Sequence, residues 1–174
     1  MAFTLPADLA TDWQDNVGMI ENATYLNKVG EMNNALKAAL NSTVNGTASA
    51  YVATNESTGS TSYTDLATTT DSVTVTISSS GVALVLIYAA LSNGGSGGQS
   101  FMSYAVSGAT TIAASDDRSI NVQVASGAGN AGSFGHMFFQ TGLTAGSNTF
   151  KLKYRCATAT AYFATRRITV IPFF

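Results

Sequence analysis

The sequence predicts a mainly β protein: an antiparallel β-sandwich or jelly roll carrying an N-terminal arm and one helix. Three observations lead there. From Thr64 onward, short runs rich in aromatic and β-branched residues recur at regular spacing between Gly-, Ser- and Asn-rich breaks, giving seven or eight strands. Several runs alternate apolar and polar residues, the period of a strand with one buried face. In the closing stretch, residues 142–174, Phe150, Leu152, Tyr154 and Cys156 alternate with Lys151, Lys153 and Arg155.

The chain has 174 residues, enough for one large β domain or for a domain with an appendage. Its apolar fraction of 45% can fill a core, whereas only 10% of residues are charged, well under the roughly 25% usual in globular chains. Small uncharged polar residues on strands suit a sheet protein packed against copies of itself, and equally a plain β domain. The net charge is −2 and the eight basic residues form no tract, which disfavours nucleic-acid binding.

In chain order, residues 1–21 read as an irregular acidic arm with Asp8, Asp12, Asp15 and Glu21. Its Trp13, the only tryptophan, either anchors on the following helix or plugs into another chain. Neither a basic nor an apolar leader pattern is visible there. Asn22 to Leu40 reads as a helix capped by Asn22 or Thr24. Tyr25, Val29, Met32, Leu36 and Ala39 follow one another at spacings of four, three, four and three, an a/d seam. Gly30 weakens that helix by roughly 1 kcal/mol relative to Ala. The seam needs a partner, either its own β domain or copies of itself. This divides the chain into an anchoring arm and helix over 1–40, a Ser/Thr-rich linker over 41–62 and a β-sandwich over 63–174.

Within the sandwich, Val73, Val75 and Ile77 mark a half-buried strand. Residues 82–91 are nearly all apolar, which predicts a central strand covered on both faces. At about ten residues the run is too short to cross a bilayer as a helix. Further strands are expected at 101–106, 120–124 and 134–141. Residues 150–156 and 161–171, joined by a short link and ended by Pro172, predict a closing hairpin.

Candidate chemistry is sparse. His136 is the only histidine and lies inside a strand pattern with no G-x-S-x-G elbow, so it reads as a structural or surface residue. Asp116-Asp117 reads as a turn or a local ion pair ahead of a calcium site. The match of Gly127, Gly129 and Gly132 to G-x-G-x-x-G joins two strands and is empty. Cys156, the single cysteine, falls on the apolar face of its strand and reads as a small buried hydrophobe. Arg166 and Arg167 are adjacent on a strand, so one of them must turn inward and find Asp65, Asp71 or Asp116, unless both are solvated at an edge. No catalytic residue, metal ligand or cofactor is expected.

Two patterns resemble a known family. Asp12-Trp13 followed by Ala23-Thr24-Tyr25-Leu26-Asn27-Lys28-Val29-Gly30 and Asn33-Asn34-Ala35-Leu36 resembles the start of small virion proteins of tailed bacteriophages. Residues 141–146, then Phe150-Lys151-Leu152-Lys153-Tyr154-Arg155 and 166–172, are similar to jelly-roll domains of phage fibres and decoration proteins. The resemblance implies a non-enzymatic virion component made in the host cytoplasm. It implies a homotrimer whose N-terminus meets the major capsid protein or other virion proteins and whose β domain faces outward. Trp13, Tyr25, Val29, Met32, Leu36, Arg166 and Arg167 are then the oligomer and anchor candidates. A short chain favours capsid decoration, or a head fibre. The alternative is a tail fibre or minor tail protein that binds a host-surface receptor or carbohydrate.

Overall fold

The computed structural model describes residues 23–123 and 131–174, with side chains from Leu26 onward in the helix. The arm with Trp13, the Asn22 cap and the glycines at 127 and 129 lie outside the described residues. The chain divides into two units: the helix, and the sandwich Thr47–Phe173. Helix α1 spans Ala23–Asn45, five residues beyond the expected end at Leu40. No glycine or proline interrupts residues 41–45, and Val44 continues the apolar stripe one turn past Leu40. The Gly46 N–H still donates to the Ser42 carbonyl at 2.8 Å.

The sandwich is an antiparallel jelly roll of two sheets. Strands β1 (Ala48–Val52), β2 (Glu56–Thr58), β4 (Ala83–Asn93), β7 (Gly132–Gln140) and β9 (Ala161–Pro172) form one, in the order β1-β9-β4-β7 with β2 also on β9. Strands β3 (Ser72–Ile77), β5 (Gln99–Gly108), β6 (Ile120–Gln123) and β8 (Gly146–Cys156) form the other, in the order β3-β8-β5-β6. Facing side chains fill the space between: Val75, Ile77, Val85, Ile87, Leu91, Met102, Tyr104, Phe150, Leu152, Phe163, Ile168 and Val170.

Three expectations are corrected. Residues 41–62, read as a linker, hold the end of α1 and strands β1 and β2, both hydrogen-bonded to β9. Strand pairing there is made by backbone groups, which a Ser/Thr-rich composition does not impair. The closing strands are not a hairpin: β8 pairs with β3 and β5, whereas β9 pairs with β1, β2 and β4. The link between them is an arch from one sheet to the other, turned with Ala159 at φ 59°. Both strands carry a largely apolar inward face, interrupted on β9 by Arg166, and an arch sets those faces toward each other across the core. The rings of Tyr154 and Phe163 accordingly meet edge to face at 4.8 Å between centroids. Finally, β4 is central but not covered on both faces. Ala83, Val85, Ile87, Ala89 and Leu91 are buried, whereas Leu84 and Leu86 are half-buried and Tyr88 is exposed.

A bulge settles which arginine turns inward. Tyr88 pairs with Arg167 and Ala90 with Ala164, so Ala89 alone opposes Thr165 and Arg166. Thr165 takes φ 50°, an uncommon conformation for a β-branched residue. Before the bulge Ala161 and Phe163 point inward; after it Arg166, Ile168 and Val170 do.

Candidate interface

The outer faces of the two sheets differ in character. On the β3-β8-β5-β6 sheet, Lys151, Lys153 and Arg155 point outward from β8, opposite the buried Phe150, Leu152, Tyr154 and Cys156. Residues 60–71 continue along β8 on the β3 side, through backbone hydrogen bonds from Tyr154 to Thr64 and from Cys156 to Ser60. That segment brings Asp65 to Lys151 at 3.0 Å and to Lys153 at 2.7 Å. Arg155 forms a two-pronged pair with Asp116, and its guanidinium lies 3.7 Å from the Phe101 ring centroid. The Arg155 hydrogen bond holds the Asp116 carboxyl below its ordinary value. Tyr63 donates to the same carboxylate at 2.8 Å, and burial together with that charge pushes its hydroxyl up to about 12. This face is polar, and Lys151, Lys153 and Arg155 are each met by a carboxylate within the chain.

The outer face of the β1-β9-β4-β7 sheet is apolar. Register places Ile171, Leu84 and Phe139 in one row, Ser49, Thr169, Leu86 and Met137 in the next, and Tyr51, Arg167, Tyr88 and Gly135 in a third. Phe139 is 65% exposed, Met137 57%, Tyr51 51% and Tyr88 40%. Where Gly135 supplies no side chain, a recess of about 560 Å³ opens between Leu86, Tyr88, Met137, Arg167 and Thr169. Arg167 is the only charge in these three rows. Its guanidinium stands 5.1 Å from the Tyr51 ring centroid, and among the described residues no carboxylate lies within ion-pair distance. Monomeric proteins rarely leave so continuous an apolar surface in water, and such patches mark interaction sites. Depletion of charge is the compositional mark of a homo-oligomeric interface core.

Arg166, by contrast, is wholly buried. Its Nη2 pairs with Glu56 Oε2 at 2.7 Å and its Nη1 donates to the Thr54 and Phe163 carbonyls, each at 3.2 Å. Nε lies 3.9 Å from Asp71 Oδ2, which also accepts the Tyr154 hydroxyl. Asp71 is therefore the partner that the sequence named correctly, whereas Asp65 and Asp116 serve other cations. Glu56 was missed because it sits in the stretch that reads as linker. Burial raises the Asp71 carboxyl against the pull of Tyr154 and Arg166. Burial would raise Glu56 too, but two hydrogen bonds from Thr68 and the Arg166 charge outweigh it and hold that carboxyl low. Burial and the Asp71 charge drive the Tyr154 hydroxyl well above its ordinary range. Arg166, Asp71 and Tyr154 are buried while Glu56 reaches partly to the surface, and the cluster ties β2 and the segment before β3 onto β8 and β9.

Of the other singled-out residues, Val29, Met32 and Leu36 are exposed on α1, as are Leu40 and Val44. Tyr25 lies in the first turn of α1, its side chain outside the described residues. His136 is exposed on β7 with its ring 4.3 Å from Phe138. Asp116 and Asp117 begin a 3-10 turn, Asp116–Arg118, in the connection from β5 to β6. Cys156 is 1% exposed, its thiol 3.3 Å from the Ser60 carbonyl.

No protein-family model and no curated protein matches the chain. Solved structures do. A chain from infectious bursal disease virus, Gt strain, is similar at 12% identity and a TM-score of 0.49, over 73% of this chain and 33% of that one. The Eiger TNF from S. frugiperda is similar at 12% identity and a TM-score of 0.48, over 74% and 94%. A chain from the Gx strain of the virus follows at 11% identity and 0.46, over 73% and 32%. The protein thus spans about a third of the length of the two viral chains.

Proposed function

We propose that this chain is a non-enzymatic virion structural protein of a tailed phage, a homotrimeric surface appendage that decorates the capsid. Residues 1–40 anchor it to the major capsid protein or another virion protein, and the sandwich faces outward. One observation carries the self-association: the outer face of the β1-β9-β4-β7 sheet exposes Tyr51, Tyr88, Met137 and Phe139 around one charge, while the opposite face is polar and internally paired. The exposed stripe of Val29, Met32, Leu36, Leu40 and Val44 on α1 is a second surface suited to copies of itself. The virion setting rests on the resemblance of the N-terminal and C-terminal sequence patterns to phage appendage proteins.

Gold-labelled chain imaged on phage particles tests the setting. Label distributed over the capsid supports decoration. Label confined to the tail supports instead the tail-fibre reading, in which the recess beside Tyr88 and Arg167 would take a receptor carbohydrate. Absence from particles removes both. Leu36→Asp is expected to lower the sedimenting mass of the intact chain, and an unchanged mass would exclude the helix as an assembly element.

A further inference from the structure

Any body that covers the outer face of the β1-β9-β4-β7 sheet takes the Arg167 guanidinium out of water. Among the described residues that guanidinium has an aromatic ring beside it, Tyr51, but no carboxylate within ion-pair distance. A desolvated cation without an anion is strongly unfavourable. A second copy laid on this face must therefore bring an acceptor with it.

The sandwich has few to offer. Glu56 and Asp71 are engaged by Arg166, Asp65 by two lysines, and Asp116 by Arg155 and Tyr63. Among the described residues of the sandwich, Asp117 is the carboxylate left without an ion pair. It is exposed on the 3-10 turn that leads into β6, the edge strand of its sheet. We propose that Arg167 of one copy pairs with Asp117 of a neighbouring copy, and that this ion pair sets the register of self-association. The proposal rests on the self-association reading above and adds a symmetry to it. A two-fold dimer apposes the same patch on both copies. Here the outer face of one sheet meets the 3-10 turn that packs on Ser103 and Arg155 of the other, two unlike surfaces, and unlike contacts close into rings of three or more when the rotation allows.

Sedimentation of the intact chain tests this with four proteins besides wild type: Arg167→Glu, Asp117→Arg, the double swap, and Met137→Asp. Both charged positions are exposed in the single chain, so each variant is expected to keep the wild-type circular dichroism. Each single charge reversal should weaken association by about tenfold or more, and the double swap should return it to within about threefold of wild type. A double swap as weak as the singles overturns the pairing. Single reversals without effect also overturn it, and if Met137→Asp then still dissociates the assembly, the apolar face stands as the interface without this ion pair. A wild-type chain that sediments as a monomer overturns both the pair and the self-association it depends on.

Discussion

Replacing Arg166 by Met should cost more than any exposed substitution in the sandwich. The guanidinium is wholly buried, bonded to Glu56 at 2.7 Å and to two backbone carbonyls, and near Asp71 at 3.9 Å. Methionine fills much of the volume but leaves Asp71 buried without its cation and Glu56 with only its Thr68 hydrogen bonds. Removing one partner of a buried ion pair costs about 3–5 kcal/mol. At about 2–4 °C per kcal/mol for a chain of this size, Tm should fall by about 6–20 °C. Circular dichroism melts at several pH values add a sign test. In the wild type, Glu56 has a lowered native pKa, so its contribution is present above the unfolded value near 4.5 and is lost as pH falls through the native one. Without Arg166 the Asp71 carboxyl, already raised by burial, should rise further and Glu56 should lose part of what holds it low, so the variant loses less than the wild type as these groups protonate. The gap between variant and wild type should therefore narrow from neutral pH toward about pH 4. Adding Glu56→Gln and Asp71→Asn should recover much of the loss. A deficit under about 1 kcal/mol, or one indifferent to pH, would refute the role given to this cluster.

Gly81 takes φ +66°, and a Cβ there would lie 2.8 Å from the Leu143 carbonyl oxygen. Gly81→Ala should lower the urea midpoint by about 1–3 kcal/mol of stability at unchanged slope, and an unaltered midpoint would contradict the geometry. Cys156 should resist an aromatic disulfide reagent until the protein unfolds, since it is 1% exposed; rapid labelling of native protein would show that its strand opens. Burial pushes the Tyr104 hydroxyl up to about 12. The absorbance difference between wild type and Tyr104→Phe should thus stay flat through the ordinary tyrosine range near pH 10 and emerge only at higher pH. A difference that emerges near pH 10 would place that hydroxyl in water.

The sandwich was legible where one face is apolar and the other polar. Phe150, Leu152, Tyr154 and Cys156 against Lys151, Lys153 and Arg155 is the pattern the folded β8 displays. Alternation states which side chains share a face, but not which strand lies alongside. The arch between β8 and β9 therefore read as a hairpin. Strands β1 and β2 stayed hidden because their role is backbone pairing to β9, and Ser49, Ser57 and Thr58 carry no apolar signal. Adjacency pointed to one inward arginine but left open an edge strand with both solvated, and which of the two turns inward depends on the bulge opposite Ala89. Most instructive is β4. Its continuous apolar run predicts burial on both faces, yet the single chain leaves Tyr88 exposed and Leu84 and Leu86 half-buried. The same residues that break the expectation line the candidate interface. In the proposed assembly the second face of β4 is covered by another copy.

Equilibrium sedimentation of the intact wild-type chain, run beside Met137→Asp, bears on that covering most directly. A three-chain mass for the wild type and a lower mass for the variant is the predicted outcome. A wild-type chain that stays single up to about 100 μM, where even a weak specific complex would assemble, would mean that this apolar face is left to water.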